Sequence, residues 1–315
     1  MQKRKEYTDE ILISIKDSLE KSVLTKYQKN LCVIVTGSYG RDEASEASDV
    51  DWFLVINEKK NGLESDEKQS ILDTVHSIMG EHVQKETGGT GTFASLISIS
   101  DLLENYGGDI ETNQAFTRRM LYLLESKALY NNEIYDELKK DIVELYIKDS
   151  VSDHNLSRFL LNDIIRYYRT ICTDYEFKVN EQEKSWGVRK IKLRFSRKIL
   201  YFSGLIVVAK TCSLSRNEKI AETLKLLSLP PIARIESVCG KAQSQEMLTY
   251  YSYFLDEISK PSVRESLDKI NRKNRNSNDE YRSLKNVSQH FNWELEKMFI
   301  STFPLSHPIH AALLF

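Results

Sequence analysis

Several kinds of signal are scarce in this chain of 315 residues, and each scarcity excludes something. Its four cysteines, Cys32, Cys172, Cys212 and Cys239, are scattered with no CxxC spacing, so neither a zinc site nor a disulfide framework is expected, and a reducing cytoplasm fits. The six histidines form no pair at metal-ligand spacing, which leaves no basis for a histidine-dependent nucleophilic site. Long apolar runs are missing too. The longest, Ile199–Ala209, is too short to span a bilayer. The opening MQKRKEYTDEILISIKDSLEKS is charged throughout and lacks the apolar core of a signal peptide, so a soluble, cytoplasmic protein with no membrane partner is expected. Charge is balanced, with 44 Lys and Arg against 46 Asp and Glu. That balance argues against a whole-chain polyanion binder and leaves room for a local basic patch. No repeat or low-complexity tract is visible, and 41% hydrophobic residues suffice for two domains with sizeable cores.

What is there concentrates in Leu31–Asn57, LCVIVTGSYGRDEASEASDVDWFLVIN. The short, β-branched run Leu31–Thr36 reads as a buried strand. It ends at Gly37-Ser38, where glycine permits tight geometry and serine offers a hydroxyl and an N–H beside a short helix, a combination suited to phosphate. A second strand is expected from Asp49 to Ile56. Residues two apart on a strand project from one face, so Asp49 and Asp51 would aim two hard oxygen donors at one spot, an arrangement that suits Mg²⁺. By the same alternation Trp52 points away, into the core. Arg41 is a candidate for phosphate contact, or it pairs with Glu43.

The order strand, GS turn, polar connector and DxD opening a second strand is specific as a whole. Gly37-Ser38-Tyr39-Gly40-Arg41-Asp42-Glu43 with Ser48-Asp49-Val50-Asp51-Trp52 resembles the nucleotidyltransferase superfamily of the DNA polymerase β type, and within it the PII-uridylyltransferase-like domains. The resemblance implies transfer of a nucleoside monophosphate from a nucleoside triphosphate at a two-metal Mg²⁺ site, with pyrophosphate released. It also implies a third carboxylate from a neighbouring strand. The expected third strand, Thr92–Ile99, contains no acid, so the candidates are Asp101, at an expected helix N-cap, and Glu86. The acceptor is open: a protein or RNA is favoured, with a small molecule, as in cyclic-dinucleotide-type synthases, as the alternative. A third reading is a nucleotide-binding regulatory or toxin-neutralising defence module that has lost turnover.

Elsewhere, Glu10–Lys29 carries a helical stripe, and helices are expected near 70–79 and from Thr117 to Leu129. Beyond Asn131 strand signals almost vanish, and segments 132–149, 154–180, 186–212, 215–229, 242–259, 262–273 and 279–302 read as helices. The expected class is thus α+β: a small mixed-sheet nucleotidyltransferase domain, 1–130, followed by an all-helical domain, 131–315. In the helical half, Arg158, Asn162, Arg166 and Arg169 share one stripe, and Arg189, Lys190, Lys192, Arg194, Arg197 and Lys198 crowd the start of the 186–212 segment. The stripe faces either water or a polar cleft; the six basic residues read as a solvated face, as an RNA patch, or as a source of triphosphate contacts, for which Lys192 and Arg197 are the candidates.

Overall fold

The run LCVIVT forms β1 (Leu31–Thr36), and all six of its residues are buried. It can be buried on both faces because it is central: a computed structural model, which describes residues 1–58, 63–83, 93–104, 106–148, 153–181 and 185–314, gives a four-stranded sheet of order β3-β2-β1-β4. Here β2 is Asp51–Ile56, β3 is Ser95–Ser98 and β4 is Lys127–Tyr130. β1 runs antiparallel to β2 and β4, and β2 runs parallel to β3. The register pairs Leu31 with Ile56 and Thr36 with Asp51.

Alternation then sorts the side chains. Leu31, Val33, Val35, Trp52, Leu54 and Ile56 join Leu12, Ile15 and Leu19 of α1 (Gln2–Glu20) and Ile71, Val75 and Met79 of α3 (Ser65–His82) in one core. Each fully buried aliphatic side chain there contributes roughly 1.5–3 kcal/mol. The opposite face, carrying Cys32, Ile34, Thr36, Asp51, Phe53 and Val55, is covered by α5 (Asn113–Glu125) and α6 (Asn132–Tyr146). Burial pushes the Cys32 thiol up to about 12 even though Tyr122 of α5 hydrogen-bonds to it. Between these elements lie α2 (Gly37–Gly40) and α4 (Ile99–Leu103).

Several elements differ from the sequence expectation. The first helix begins at Gln2 and stops at Glu20; the Ser22 hydroxyl then accepts from Leu24 N at 3.2 Å and opens a separate 3-10 turn, Val23–Tyr27. The expected helix to Leu129 ends at Glu125, and Lys127–Tyr130 becomes an edge strand because β1 offers it a partner, pairing that no local pattern announces. α6 packs on β1 and β4 and so belongs to the first of two compact units, 1–148 and 149–315, rather than beyond a line at 130. The third strand is only Ser95–Ser98.

The second unit is helical throughout its described residues: α7 (Arg158–Glu181), α8 (Trp186–Arg194), α9 (Ser196–Lys210), α10 (Arg216–Ser228), α11 (Pro231–Cys239), α12 (Lys241–Ser259), α13 (Pro261–Asp268), α14 (Asp279–Thr302) and α15 (Pro308–Leu314). The expected 186–212 helix is broken at Phe195, which has φ −120° and ψ −84° and stacks on Phe254 at 4.4 Å. Leu229 and Pro230 separate α10 from α11, and Pro231 stands in the first turn of α11, where a missing N–H is harmless. The class is α+β, as expected. Among the described residues no helix is long and apolar enough to cross a membrane.

Candidate active site

Strand pairing between β1 and β2 stops at Thr36 and Asp51 because the next residue, Gly37, turns the chain with φ +65°. That conformation favours glycine, and a second constraint acts at the same place: a Cβ on Gly37 would lie 2.7 Å from Asp51 Oδ2. The Asp51 carboxylate therefore rests against the glycine turn. Thr36 Oγ1 donates to the Asp51 carbonyl at 3.3 Å and ties the two strand ends together. Asp49 precedes the paired part of β2 rather than starting it. Val50 and Trp52 both enter the α1/α3 core, so Asp51, between them, falls on the other face. Both are half-buried, as is Ser38. Asp49 also sits near Tyr39, whose phenol is raised above its ordinary value by burial first and then by Tyr7 and the Asp49 charge.

Replacing Gly37 by alanine is expected to cost about 1–2 kcal/mol for the left-handed backbone, and its Cβ would displace the Asp51 carboxylate as well. Displacement of a ligand by about 1 Å is worth on the order of a hundredfold in rate. Activity should thus fall further than the thermal midpoint, and the Mg²⁺ concentration for half-maximal activity should rise.

The connector after the turn is anchored from three sides. Arg41 Nε donates to Glu43 Oε2 at 2.7 Å and its Nη1 donates to Glu125 at the end of α5; the three side chains are 8, 0 and 1% exposed. Lys127 of β4 pairs with Asp42, which has φ +62°. From α1, Arg4 donates to the Glu43 carbonyl at 3.4 Å and Thr8 Oγ1 accepts from Ala44 N at 3.2 Å. Gly40 is required as well, since a Cβ there would meet the Glu125 carbonyl oxygen at 1.9 Å. Arg41 is thus committed to two buried carboxylates, and the pairing with Glu43 is what forms. Glu125 and Lys127 were missed by sequence reasoning. The available signal was an acid closing the otherwise apolar run MLYLLE, in helical phase with the core.

Of the two candidates for the third carboxylate, only Asp101 lies among the described residues. Ser98, not Asp101, caps α4: its hydroxyl accepts from Ser100 N at 3.1 Å, while Asp101 Oδ2 accepts from Ser98 N at 3.2 Å in a capping box. Ser98 pairs with Ile56, at the end of β2 remote from Asp51. Five residues of strand separate the two ends, about 16 Å at the usual rise. In this structure Asp101 completes the capping box of α4. Glu86 lies outside the described residues. On β3 the residue beside Phe53, facing as Asp51 does, is Ser95, and Arg118 of α5 donates to its hydroxyl at 2.7 Å. Among the described residues no group of three or more histidine, cysteine or acidic side chains could hold a metal.

In the second unit, Lys192 and Arg197 come together at Tyr175, where Arg197 Nε donates to the phenol oxygen at 3.3 Å. Burial pushes that phenol up, but the charges of Arg197, Lys192 and Arg189 and the Arg197 hydrogen bond outweigh it, so its pKa falls below the ordinary value. The break at Phe195 places Lys192 on α8 and Arg197 on α9.

The donors suit a magnesium ion. Asp49 and Asp51 are half-exposed hard oxygen donors two residues apart, Asp51 resting against a turn that a Cβ would fill, and Mg²⁺ commonly takes one or two carboxylates with the remainder supplied by water and substrate phosphate. No curated protein matches the chain. The family model described as a nucleotidyltransferase domain matches residues 16–97, a span that runs from α1 through β3 and contains the glycine turn and both aspartates, without reaching as fine as the PII-uridylyltransferase-like branch. The first unit thus carries a nucleotidyltransferase domain, consistent with the polymerase β-type superfamily.

Proposed function

We propose that the protein transfers a nucleoside monophosphate from a nucleoside triphosphate to an acceptor hydroxyl, releasing pyrophosphate. The observation that carries this reading is the Asp51 carboxylate lying against Gly37 at a distance no Cβ allows. Asp49 and Asp51 would hold Mg²⁺, which when bound offsets charge on the phosphates and orients them for in-line displacement. The Gly37-Ser38 turn would meet phosphate oxygens, through the half-exposed Ser38 hydroxyl and backbone N–H groups. The carboxylates need a rigid frame, because phosphoryl chemistry depends on positioning more than on covalent help. Arg41, with Glu43 and Glu125, is assigned to that frame rather than to the phosphates.

For the acceptor, a protein or RNA hydroxyl is favoured. The test is incubation of the protein with each α-labelled nucleoside triphosphate and Mg²⁺ in cell extract, followed by separation of protein, RNA and small-molecule fractions. Label in one macromolecular fraction supports the reading; label only in small molecules moves it to the synthase type. A second reading, a nucleotide-binding regulatory module with little turnover, is favoured by Ser95 standing on β3 where an acid was expected. It predicts nucleotide binding with no pyrophosphate released. Lys192 and Arg197 remain proposed phosphate contacts, on the ground of the positive charge they gather at Tyr175.

A further inference from the structure

Against the face of the sheet that carries Asp51 stands an arginine of α5 that nucleotidyl transfer, as outlined above, does not use. Arg118 is buried, and its Nη2 donates to Ser95 Oγ at 2.7 Å. Ser95 pairs with Phe53, two residues along β2 from Asp51, which puts Ser95 about 8 Å from Asp51 between Cα atoms. The approach of β3 at this point is fixed: Ala94, in the left-handed region at φ 49°, donates to the Trp52 carbonyl at 2.7 Å and sets Ser95 beside Phe53. A non-glycine residue held there stores strain, of a kind that collects at functional sites. Burial lowers the Arg118 guanidinium below its ordinary value and the Asp101 charge partly restores it. Asp101, which completes the capping box of α4, thereby also steadies a cation.

Resting on the nucleotidyl-transfer reading, we propose that Arg118 stands in this site in place of the third carboxylate. A fixed guanidinium beside Ser95 then meets a phosphate oxygen of the nucleotide directly, and the site holds one divalent cation, at Asp49 and Asp51, instead of two. The charge logic supports it. A carboxylate at position 95 would recruit a second cation, whereas a serine that orients an arginine supplies the positive charge from the protein itself. Arginine suits this exchange, because its planar fork matches phosphate oxygens and keeps its charge when buried.

The test counts metal ions in the full-length protein by the Mn²⁺ paramagnetic resonance signal, in the presence of the α,β-imido analogues of ATP, GTP, CTP and UTP, each in turn. One Mn²⁺ per bound nucleotide is expected for the unaltered protein. Arg118→Met is expected to weaken analogue binding on the order of tenfold or more, with Arg118→Lys recovering part of the loss. The double variant Ser95→Asp with Arg118→Met is expected to bind a second Mn²⁺. Two ions in the unaltered protein overturn the proposal, and a fall to one on Glu86→Gln would show which acid supplies the second site. Undiminished analogue affinity in folded Arg118→Met also overturns it. The count in the unaltered protein stands even where a variant does not fold. Binding of neither analogue nor Mn²⁺ would instead remove the nucleotidyl-transfer reading, and this inference with it.

Discussion

Replacing Asp49 and Asp51 together by alanine is expected to abolish Mg²⁺-dependent nucleotide incorporation while leaving the first unit folded. Both side chains are half-exposed and neither belongs to the α1/α3 core, so no apolar packing is lost. Surface changes of this kind usually alter stability by within about 0.5 kcal/mol, and removing two like charges relieves mutual repulsion. The chemical consequence is of another order. Without both carboxylates nothing in the glycine turn can hold a divalent cation, and loss of such electrostatic stabilisation costs a factor on the order of 10³ or more in rate. Incorporation, measured against thermal unfolding of the same sample, separates the two effects. Retained transfer in the double variant would place the chemistry elsewhere in the chain.

Arg41→Met is expected to act in the opposite way, through stability first. The guanidinium lies between Glu43 and Glu125, whose side chains are 0 and 1% exposed. Removing it leaves two buried carboxylates without their shared partner, and breaking a buried ion pair from one side typically costs about 3–5 kcal/mol. For a unit of this size that is a fall in the unfolding midpoint of roughly 10 °C. The triple change Arg41→Met, Glu43→Gln and Glu125→Gln removes the stranded charges together and is expected to recover much of the loss. A phosphate-binding Arg41 would give a different pattern: weaker triphosphate binding, an unchanged midpoint and no recovery in the triple variant.

The contrast between Asp51 and Arg41 shows what a linear pattern can carry. The glycine turn and Asp51 are close in sequence, and the period of a strand fixes which way Asp51 faces, so local rules suffice for it. Arg41 is settled by Glu125, far along the chain, which reaches it only because the end of α5 packs on Gly40 at backbone contact. Nothing near Arg41 announces that partner. Asp101 is a related case. Its place immediately after a strand was legible, but the direction of that strand was not. Once β3 runs parallel to β2, a residue following β3 lies at the end remote from Asp51. Likewise Lys127–Tyr130 is a strand because β1 accepts it, and the helix expected over 186–212 breaks where Phe195 stacks on Phe254. Each of these depends on tertiary partners, which outweigh local propensity.

The most direct measurement uses paired reactions with Mg²⁺ and the same nucleoside triphosphate, labelled in one at the α-phosphate and in the other at the γ-phosphate. Nucleotidyl transfer at Asp49 and Asp51 predicts that α-label enters an acceptor while γ-label appears only in pyrophosphate, in equal amounts. Entry of γ-label into an acceptor, or release of γ-label as inorganic phosphate with no α-label transferred, would contradict it.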